Sequence, residues 1–525
     1  MTDPRSYDLL CAPWIPVVWR EESNEPKKPK IGIRKALERA HEIRAISHTS
    51  PFIEFGLYRL LITIVLDAYI DARKRPTIGK MKDMLAATQF DSCVIKCYLE
   101  KYKASFELWG AGPRFLQRQP AEGTKTPESK AIVSMYAAIP SGTNVSHWHH
   151  VPEDDIAVTE DVAAQFLATV SPWNFKTKPG EVRTLAGDPP MYALVLGETL
   201  FETILLNLPR PSGRTSSRIE RDNGPVWRTP LKDFSKLPKS PAITQGFTWP
   251  VRVIQLGDEM QDVVNKAVNQ AAYKDRTKEE RAKKGNLFVW RDPNAGTETG
   301  PVAVDHIKVR PSVPVWRDAV PLFLVASQGE ALRGEKRRSR PEVVNNALRI
   351  LEGTSLRVAV YGMRKKSGGG GDVKVEEWFR SALTLPAEVA RDERLSFQAL
   401  DGFKTAQKVA DALQVALRML RPKMAALPRA KKDLRNAQRT EGDVLAGFWQ
   451  GLEPVLAHNY LNELVIDSQT ASNTLKESLR KESRDAFARA SAPLRRSADG
   501  LFRIANAGNY LERRLAQLLP KEKKT

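Results

Sequence analysis

The spacing of apolar residues changes near residue 380 of this 525-residue chain. Beyond that point they recur three and four positions apart in four stretches of about 15 to 20 residues, the periodicity of a helix with one buried face. The stretches cover about 401–420, 442–458, 471–490 and 499–518. Asp401 and Asp499 are the predicted N-caps of the first and last helices. We therefore expect an antiparallel four-helix bundle over residues 383–525.

Residues 1–382 carry mixed signals and contain ten of the eleven tryptophans. Ser50 and Pro51 form a cap and a first-turn proline before the apolar segment 52–70, which predicts a buried helix. Residues 191–208 have the pattern of a strand that passes into a buried helix. Short strands are predicted at 7–19, 247–256, 285–290 and 356–363. We expect this part to be an α+β (mixed) N-terminal domain of short strands and helices.

The chain is basic, with 82 Lys and Arg against 62 Asp and Glu and a formal net charge of +20. An excess of this size favours a polyanionic partner, nucleic acid before an anionic membrane, although a generally basic soluble surface is an equal alternative on charge alone. The three cysteines contain no CxxC pair, so neither a disulfide framework nor a zinc finger is indicated. The N-terminus has no signal-peptide pattern, and segment 56–70 is too short and too charged to span a bilayer. We expect a cytoplasmic protein without a membrane partner.

Catalytic motifs are absent from the sequence: it has no GxxxxGK[ST], HExxH or GxSxG. The segment SHWHHVPEDD at 146–155 groups imidazoles with carboxylates, which together can bind a transition metal. A polar surface turn is the commoner origin of such a cluster, so we predict no metal site there. VWRTP at 226–230 and WRDP at 290–293 place Arg beside Trp. That pair can stack a base and bind phosphate, but a half-buried core Trp with a salt-bridged neighbour is the preferred interpretation.

Five separated segments together resemble the CasA family, the large subunits of type I-E CRISPR Cascade surveillance complexes. They are YDLLCAPWIPVVW at 7–19, GPRFLQ at 112–117, PPMYALVLGETLFETILLNL at 189–208, GFTWPVRVIQL at 246–256 and NLFVWRDPNAG at 286–296. Each segment alone is a weak signal, but their order along the chain matches the family. The resemblance spans nearly the whole chain, including the helices at its C-terminal end.

The resemblance implies a DNA-binding and interaction protein that is not an enzyme and needs no cofactor. Family members recognise the protospacer-adjacent motif (PAM) in double-stranded DNA, largely through the minor groove. They help open the duplex so that guide RNA can pair with one strand and form the R-loop used in antiviral defence. Their implied partners are double-stranded target DNA, guide RNA, the other Cascade subunits and a helicase-nuclease that docks on the large subunit. Some relatives bind zinc through cysteines, but no matching cysteines occur here.

In the family, a hairpin between the two domains inserts a polar wedge into the duplex. YGMRKKSGGGG at 361–371 occupies that position, so the resemblance implies a wedge tip formed by Lys365, Lys366 and Ser367, followed by Gly368. Family members often carry glutamine at the wedge, where this chain has lysine and serine. A lysine tip can still bind the phosphates of separated strands, and glycine lets the backbone approach the minor-groove edge without a Cβ clash.

The family also has a glycine-rich loop and a lysine that reach the minor groove, and a loop that reaches the guide end of the complex. The matching positions are Gly180 for the glycine loop, Lys283 or Lys284 for the inserted lysine, and His147 or Trp148 for the guide-end loop. A cation suits the minor groove because negative potential concentrates there. In the helical part, the residues expected to contact the DNA backbone are Lys431, Lys432, Arg435, Arg495 and Arg496.

Two alternatives to the surveillance-complex subunit remain open at this stage. One is a metal-dependent nuclease that uses the 147–155 cluster of His, Asp and Glu. The other is a stand-alone basic nucleic-acid-binding protein outside any CRISPR system. The nuclease would require cleavage that depends on a divalent metal and is lost on His149→Ala.

Overall fold

The computed structural model describes residues 5–23, 27–110, 112–117, 129–136, 157–173, 189, 191–209, 224–228, 243–248, 252–257, 262–267, 291–292, 305–306, 316–317, 320, 324, 341–353, 355–367, 373–421 and 430–520. The fold is mixed helix and strand, and mostly helical. Contacts divide it into two compact units. The first comprises Met1–Val309, Glu335–Glu352 and Val358–Arg380, and the second Arg310–Gly334, Gly353–Arg357 and Ser381–Thr525.

The helices described in the first unit are α1 Ile33–Glu38, α2 Pro51–Asp71, α3 Ile78–Ala87, α4 Ser92–Lys101, α5 Glu160–Trp173, α6 Leu200–Leu206, α7 Ile243–Phe247 and α8 Glu342–Ile350, with 3-10 turns at Lys103–Phe106 and Ile132–Met135. The predicted helix at 52–70 is confirmed as α2. Every residue from Phe52 to Ile70 is buried, because α2 packs against α4, α5, α6 and α7 on different sides.

The strands form three small sheets and one two-stranded ladder. Their bounds are β1 Ile15–Trp19, β2 Lys30–Ile31, β3 Ile43–Ile46, β4 Ser129–Ala131, β5 Tyr192–Leu196, β6 Arg252–Leu256, β7 Asp262–Ala267, β8 Arg291–Asp292, β9 Asp305–His306, β10 Leu356–Ser367 and β11 Val373–Leu385. The strand orders are β2-β1-β3, β11-β10-β5, β4-β7-β6 and β8-β9. The predicted passage from strand to helix within 191–208 is confirmed by β5 and α6. The predicted strand at 285–290 lies outside the described residues.

The second unit is helical in its described part after Leu385. Its helices are α9 Ala387–Arg391, α10 Glu393–Met419, α11 Ala430–Glu453, α12 Tyr460–Ile466, α13 Ser468–Ser491 and α14 Ala498–Leu518, with a π-helical turn at Pro454–Asn459 and a 3-10 turn at Ala492–Arg496. Helix α10 packs against α11, α12, α13 and α14, and α11 also packs against α13. The buried stripe contains the predicted Leu413, Leu417, Phe448, Trp449 and Leu452.

Both predicted N-caps in this unit are wrong. The carboxylate of Asp392 accepts the amide of Leu395 at 2.9 Å, so α10 begins eight residues before the predicted start and Asp401 lies inside it. The hydroxyl of Ser497 accepts the amide of Gly500 at 3.0 Å and caps α14, whereas Asp499 lies in its first turn. A run of polar residues near a helix start offers several cap candidates, and tertiary packing selects among them.

Trp316 precedes the predicted boundary at 382 but belongs to the second unit. Its ring lies 6.1 Å from that of Trp449 on α11 and 6.4 Å from that of Phe403 on α10. With 1% of its surface exposed, it is part of the core between these two helices. The segment Arg310–Gly334, which precedes the predicted boundary, therefore belongs to the helical unit.

Candidate nucleic-acid interface

The hairpin of β10 and β11 contains the predicted wedge. Five residues connect these two hydrogen-bonded strands, and a connection this short requires an antiparallel pair. Lys365, Lys366 and Ser367 are the last three residues of β10, so their backbone lies next to the tip. Their side chains and Gly368 lie outside what the structure describes.

A buried carboxylate of α2 holds the lower part of the hairpin. The hydroxyl of Tyr361 on β10 donates to Oε1 of Glu54 at 2.6 Å, and Nε of Arg380 on β11 donates to the same oxygen at 2.8 Å. Arg380 Nε also lies 3.4 Å from the Tyr361 hydroxyl. Glu54 thus binds both strands of the hairpin, at Tyr361 and Arg380, and only 7% of its side chain is exposed.

Electrostatics at this junction are dominated by burial. Burial raises the pKa of Glu54 above its ordinary value, although Tyr361 and Arg380 both favour the ionised carboxylate. Burial, together with the adjacent Glu54 charge, holds the pKa of the Tyr361 hydroxyl well above its usual value, so this group stays protonated and donates. Burial opposes the charge of Arg380, but Tyr361 and Glu54 outweigh it and raise the arginine pKa.

Aromatic rings pack on both faces of the hairpin. The Tyr361 ring lies 5.3 Å from Phe55 of α2, and Phe55 in turn stacks on Tyr192 of β5 at 4.5 Å. At Gly362 an added Cβ would lie 2.5 Å from the ring of Phe379. A side chain at this position would displace that ring, so with glycine Phe379 covers the backbone of the opposite strand directly.

Phe52, in the first turn of α2, lies next to three aromatic rings, of which two directly precede predicted segments and one belongs to the hairpin. Its ring lies 4.7 Å from Trp173, 6.0 Å from Trp378 and 6.2 Å from Tyr136. The chain enters 137–156 directly after Tyr136 and 174–188 directly after Trp173, and Trp378 belongs to β11. We call Phe52, Tyr136, Trp173 and Trp378 the root cluster. It joins a residue of the hairpin strand β11 to the residues that directly precede the segments predicted to contain His147, Trp148 and Gly180.

The remaining predicted site residues are distributed as follows. Gly180, Lys283, Lys284, His147 and Trp148 lie outside the described residues. Lys431, Lys432 and Arg435 lie in α11, where only the backbone is described, and Arg495 and Arg496 are exposed in the 3-10 turn before α14. Arg484, on the preceding helix α13, donates two hydrogen bonds to the carboxylate of Glu512, at 2.8 and 2.7 Å.

The Trp–Arg pair at 227–228 is part of the core, as the preferred interpretation predicted. Trp227 is 6% exposed and donates from Nε1 to the Tyr98 hydroxyl at 2.8 Å. That hydroxyl donates to Oδ2 of Asp67 at 2.6 Å, and Nη1 of Arg228 lies 3.1 Å from Oδ1 of Asp67. Burial raises the pKa of Asp67 to about 6, although Arg228 and Tyr98 favour its charge.

Sequence reasoning missed the junction at Glu54. The sequence marked Glu54 only as a charge that interrupts an apolar segment, yet a carboxylate inside a helix that is buried on every side must have a partner. That signal was present, but the partners Tyr361 and Arg380 are 307 and 326 residues away.

A metal-binding group is not found among the described residues. There, no three or more His, Cys, Asp and Glu side chains are grouped to hold a metal ion. The 147–155 cluster lies outside them. Within the same residues, no helix is both long and apolar enough to cross a membrane.

Comparison with known proteins agrees with the resemblance. The family model for CRISPR-associated protein Cse1 matches residues 8–491. The CRISPR-associated protein CasA/Cse1 of Thermus thermophilus is 28% identical over an alignment of 267 positions that covers 48% of this chain and 49% of the relative. The aligned part thus spans about half the length of that curated relative.

Solved structures share the fold. A structure of Thermus thermophilus CasA (Cse1) matches 97% of this chain and 99% of its own with a TM-score of 0.72 and 18% identity. A chain of a structure described as a CRISPR RNA-guided surveillance complex matches 98% of this chain and all of its own, with a TM-score of 0.67 and 18% identity. The family model, which covers far more than half of the residues, carries the assignment. This chain belongs to the CRISPR-associated Cse1 family.

Proposed function

We propose that this chain is the large subunit of a type I-E CRISPR RNA-guided surveillance complex. In this role it recognises the PAM in double-stranded DNA through the minor groove and helps open the duplex for guide-RNA pairing. It also provides the docking site for the helicase-nuclease. Family membership over residues 8–491 supports the proposal, as does the shared fold with a chain of a CRISPR RNA-guided surveillance complex. The function is one of binding and assembly, without catalysis.

The observation that carries the duplex-opening part is the hairpin itself. Two consecutive lysines and a serine end a twelve-residue strand whose lower part is held by Glu54. Separating one base-pair step costs about 1.4 kcal/mol of stacking, and a few charge-assisted phosphate contacts can supply that energy. We propose Lys365, Lys366, Ser367 and Gly368 as the wedge that makes these contacts.

The root cluster supports an interface made of several segments. The segments that contain His147, Trp148 and Gly180 start at Tyr136 and Trp173, beside Trp378 of the hairpin strand. We propose that Gly180 and either Lys283 or Lys284 contact the minor groove, and that His147 or Trp148 reaches the guide end of the complex.

The second unit is proposed to hold displaced DNA. Four of its helices, α10, α11, α13 and α14, are proposed to form the antiparallel four-helix bundle, within a domain of residues 383–525 that follows a mixed domain of residues 1–382. Their mutual packing supports this arrangement. The proposed contacts with the DNA backbone come from Lys431, Lys432, Arg435, Arg495 and Arg496.

The test of the function is a titration of the purified chain into a guide-RNA complex that lacks its large subunit. The readout is binding to duplexes that differ only in the bases that flank the target. The proposal predicts that the chain confers dependence on those bases. Equal binding to all duplexes, or failure to join the complex, would leave a stand-alone nucleic-acid-binding protein as the better description.

The role of the helical unit has its own test. Phosphate contacts release counterions, so replacing Arg495 and Arg496 together by alanine should flatten the dependence of log K on log salt by up to about two units. The same affinity loss is expected for every flanking sequence. A loss of sequence preference would instead mean that these arginines take part in motif recognition.

A further inference from the structure

We propose that Glu54, Tyr361 and Arg380 form a junction that positions the wedge tip by fixing the hairpin to helix α2. This inference rests on the proposed function of the hairpin and names residues that set its effectiveness without touching DNA. The Tyr361 hydroxyl and Arg380 Nε meet at a single carboxylate oxygen of Glu54, at 2.6 and 2.8 Å. One buried acceptor therefore binds both strands of the hairpin to α2.

The position of this junction along the hairpin decides its mechanical importance. Tyr361 lies four residues before Lys365 and six before Ser367. At a rise of about 3.3 Å per residue, the junction is therefore roughly 13 to 20 Å from the tip. A hairpin that rotates by about 10° at such a lever arm displaces its tip by roughly 3 Å, whereas productive sites are held within about 0.5 Å.

The junction is also rigid in the sense that positioning requires. Glu54 lies in the first turn of α2, a helix that is buried from Phe52 to Ile70. Tyr361 is fully buried. Within the hairpin, the ring of Phe379 packs directly on the backbone at Gly362 and joins the two strands next to the junction. These contacts leave Arg380, whose side chain is 37% exposed, as the member of the network that water reaches most.

The Tyr361→Phe variant removes the bond to Glu54 and little else. The phenyl ring keeps its place 5.3 Å from Phe55, and Arg380 still pairs with the carboxylate. The chain offers a control at a second buried carboxylate of α2. Tyr98 donates to the buried carboxylate of Asp67 at 2.6 Å, which Arg228 also contacts, but this network fixes residues 224–228 and not the hairpin. Tyr98→Phe thus removes a bond of the same chemistry and similar burial, together with the bond that the Tyr98 hydroxyl accepts from Trp227 Nε1.

The experiment uses the full chain reconstituted with the guide-RNA complex that lacks its large subunit. Duplex opening is followed by 2-aminopurine fluorescence beside the flanking motif. Each variant is measured on an intact duplex and on a duplex with mismatches that keep the first target bases unpaired. For Tyr361→Phe we expect opening of the intact duplex to slow by about five-fold, the factor that one hydrogen bond is typically worth. Binding to the mismatched duplex should be unchanged, because the tip then has no bases to separate.

The control arms distinguish failure of this inference from failure of the proposed function. Lys365→Ala with Lys366→Ala removes the charges of the tip. If that double variant opens the intact duplex as fast as the unchanged chain, the wedge itself is wrong and the positioning role falls with it. If the double variant is slow but Tyr361→Phe matches Tyr98→Phe, the wedge stands and the positioning role is overturned.

A second variant keeps the test decisive should Tyr361→Phe not fold. Arg380→Lys retains a positive charge at a side chain that is 37% exposed, but loses the Nε that contacts both Glu54 and Tyr361. It should also slow opening of the intact duplex and leave binding to the mismatched duplex unchanged. Slower opening accompanied by equally weaker binding to the mismatched duplex would indicate general loss of structure and would overturn the inference.

Discussion

Two carboxylates of α2 are buried in networks of the same composition, and they hold different kinds of segment. Glu54 accepts bonds from Tyr361 and Arg380 of the hairpin, whereas Asp67 is bound by Tyr98 of α4 and Arg228. Thirteen residues separate the two acids, which is roughly 20 Å along a helix and about 220° around it. They therefore lie on nearly opposite sides of α2, as a helix buried on all sides permits.

The two networks differ in their access to water. The Asp67 and Arg228 side chains are 0% and 9% exposed, whereas those of Glu54 and Arg380 are 7% and 37% exposed. Each member of an ion pair that is shielded from water depends strongly on the other, because removal of one charge leaves the remaining buried charge uncompensated. Asp67 therefore depends more strongly on Arg228 than Glu54 does on Arg380, whose side chain water reaches.

The largest expected effect is that of Arg228→Met. This change leaves the Asp67 carboxylate without its cationic partner in a site with no exposed surface, so we expect the free energy of unfolding at pH 7 to fall by about 4 kcal/mol. Denaturant titration followed by tryptophan fluorescence measures the change. Lys74→Met is the control: Nζ of Lys74 lies 2.9 Å from Asp91 and the lysine side chain is 56% exposed, so its loss should leave the free energy of unfolding nearly unchanged. Equal losses for the two variants would contradict the distinction.

The second effect is a pH dependence that belongs to Asp67. Its pKa is about 6 in the folded protein against an ordinary value of 3.8, so between these values the folded state binds more protons than the unfolded one. Stability contributed by Asp67 therefore rises as the pH falls from about 7 to about 4, by at most about 3 kcal/mol. Relative to Asp67→Asn, the unchanged chain should gain stability over this range. A difference between the two proteins that stays constant with pH would contradict the raised pKa.

Local signals in the sequence were sufficient for some elements. Ser50, Pro51 and the following apolar run predicted α2 nearly to the residue, because these signals are local; Ser50 stands at the N-cap position, although its side chain makes no capping hydrogen bond. The starts of α10 and α11 were misplaced by eight and twelve residues. In α10 two aspartates were available, and the choice of Asp392 depends on packing that no local pattern contains.

The candidate site also has one part that local sequence signals predicted and another that they could not. The lysines and glycines after Tyr361 marked a hairpin tip within a few residues of sequence, and the resemblance to the CasA family gave it a role. The junction beneath the tip joins Glu54 to Arg380 across 326 residues, and only the folded chain brings them together. The root cluster is likewise assembled from four separate segments, none of which is distinctive alone.

The smallest expected effect is that of Arg380→Met, and it sharpens the comparison most directly. Like Arg228→Met, it removes the guanidinium that neutralises a buried carboxylate of α2 and leaves a tyrosine hydroxyl that still donates to the acid, but here the arginine side chain is 37% exposed and water reaches the site. We expect a loss of about 2 kcal/mol in the free energy of unfolding, roughly half of that for Arg228→Met. The double variant Tyr361→Phe with Arg380→Met removes both donors and should lose more than the sum of the single changes, because neither remaining group then satisfies the carboxylate. If Arg380→Met costs as much as Arg228→Met, exposure is not what separates the two networks, and the hairpin is then held as rigidly as the interior of the unit.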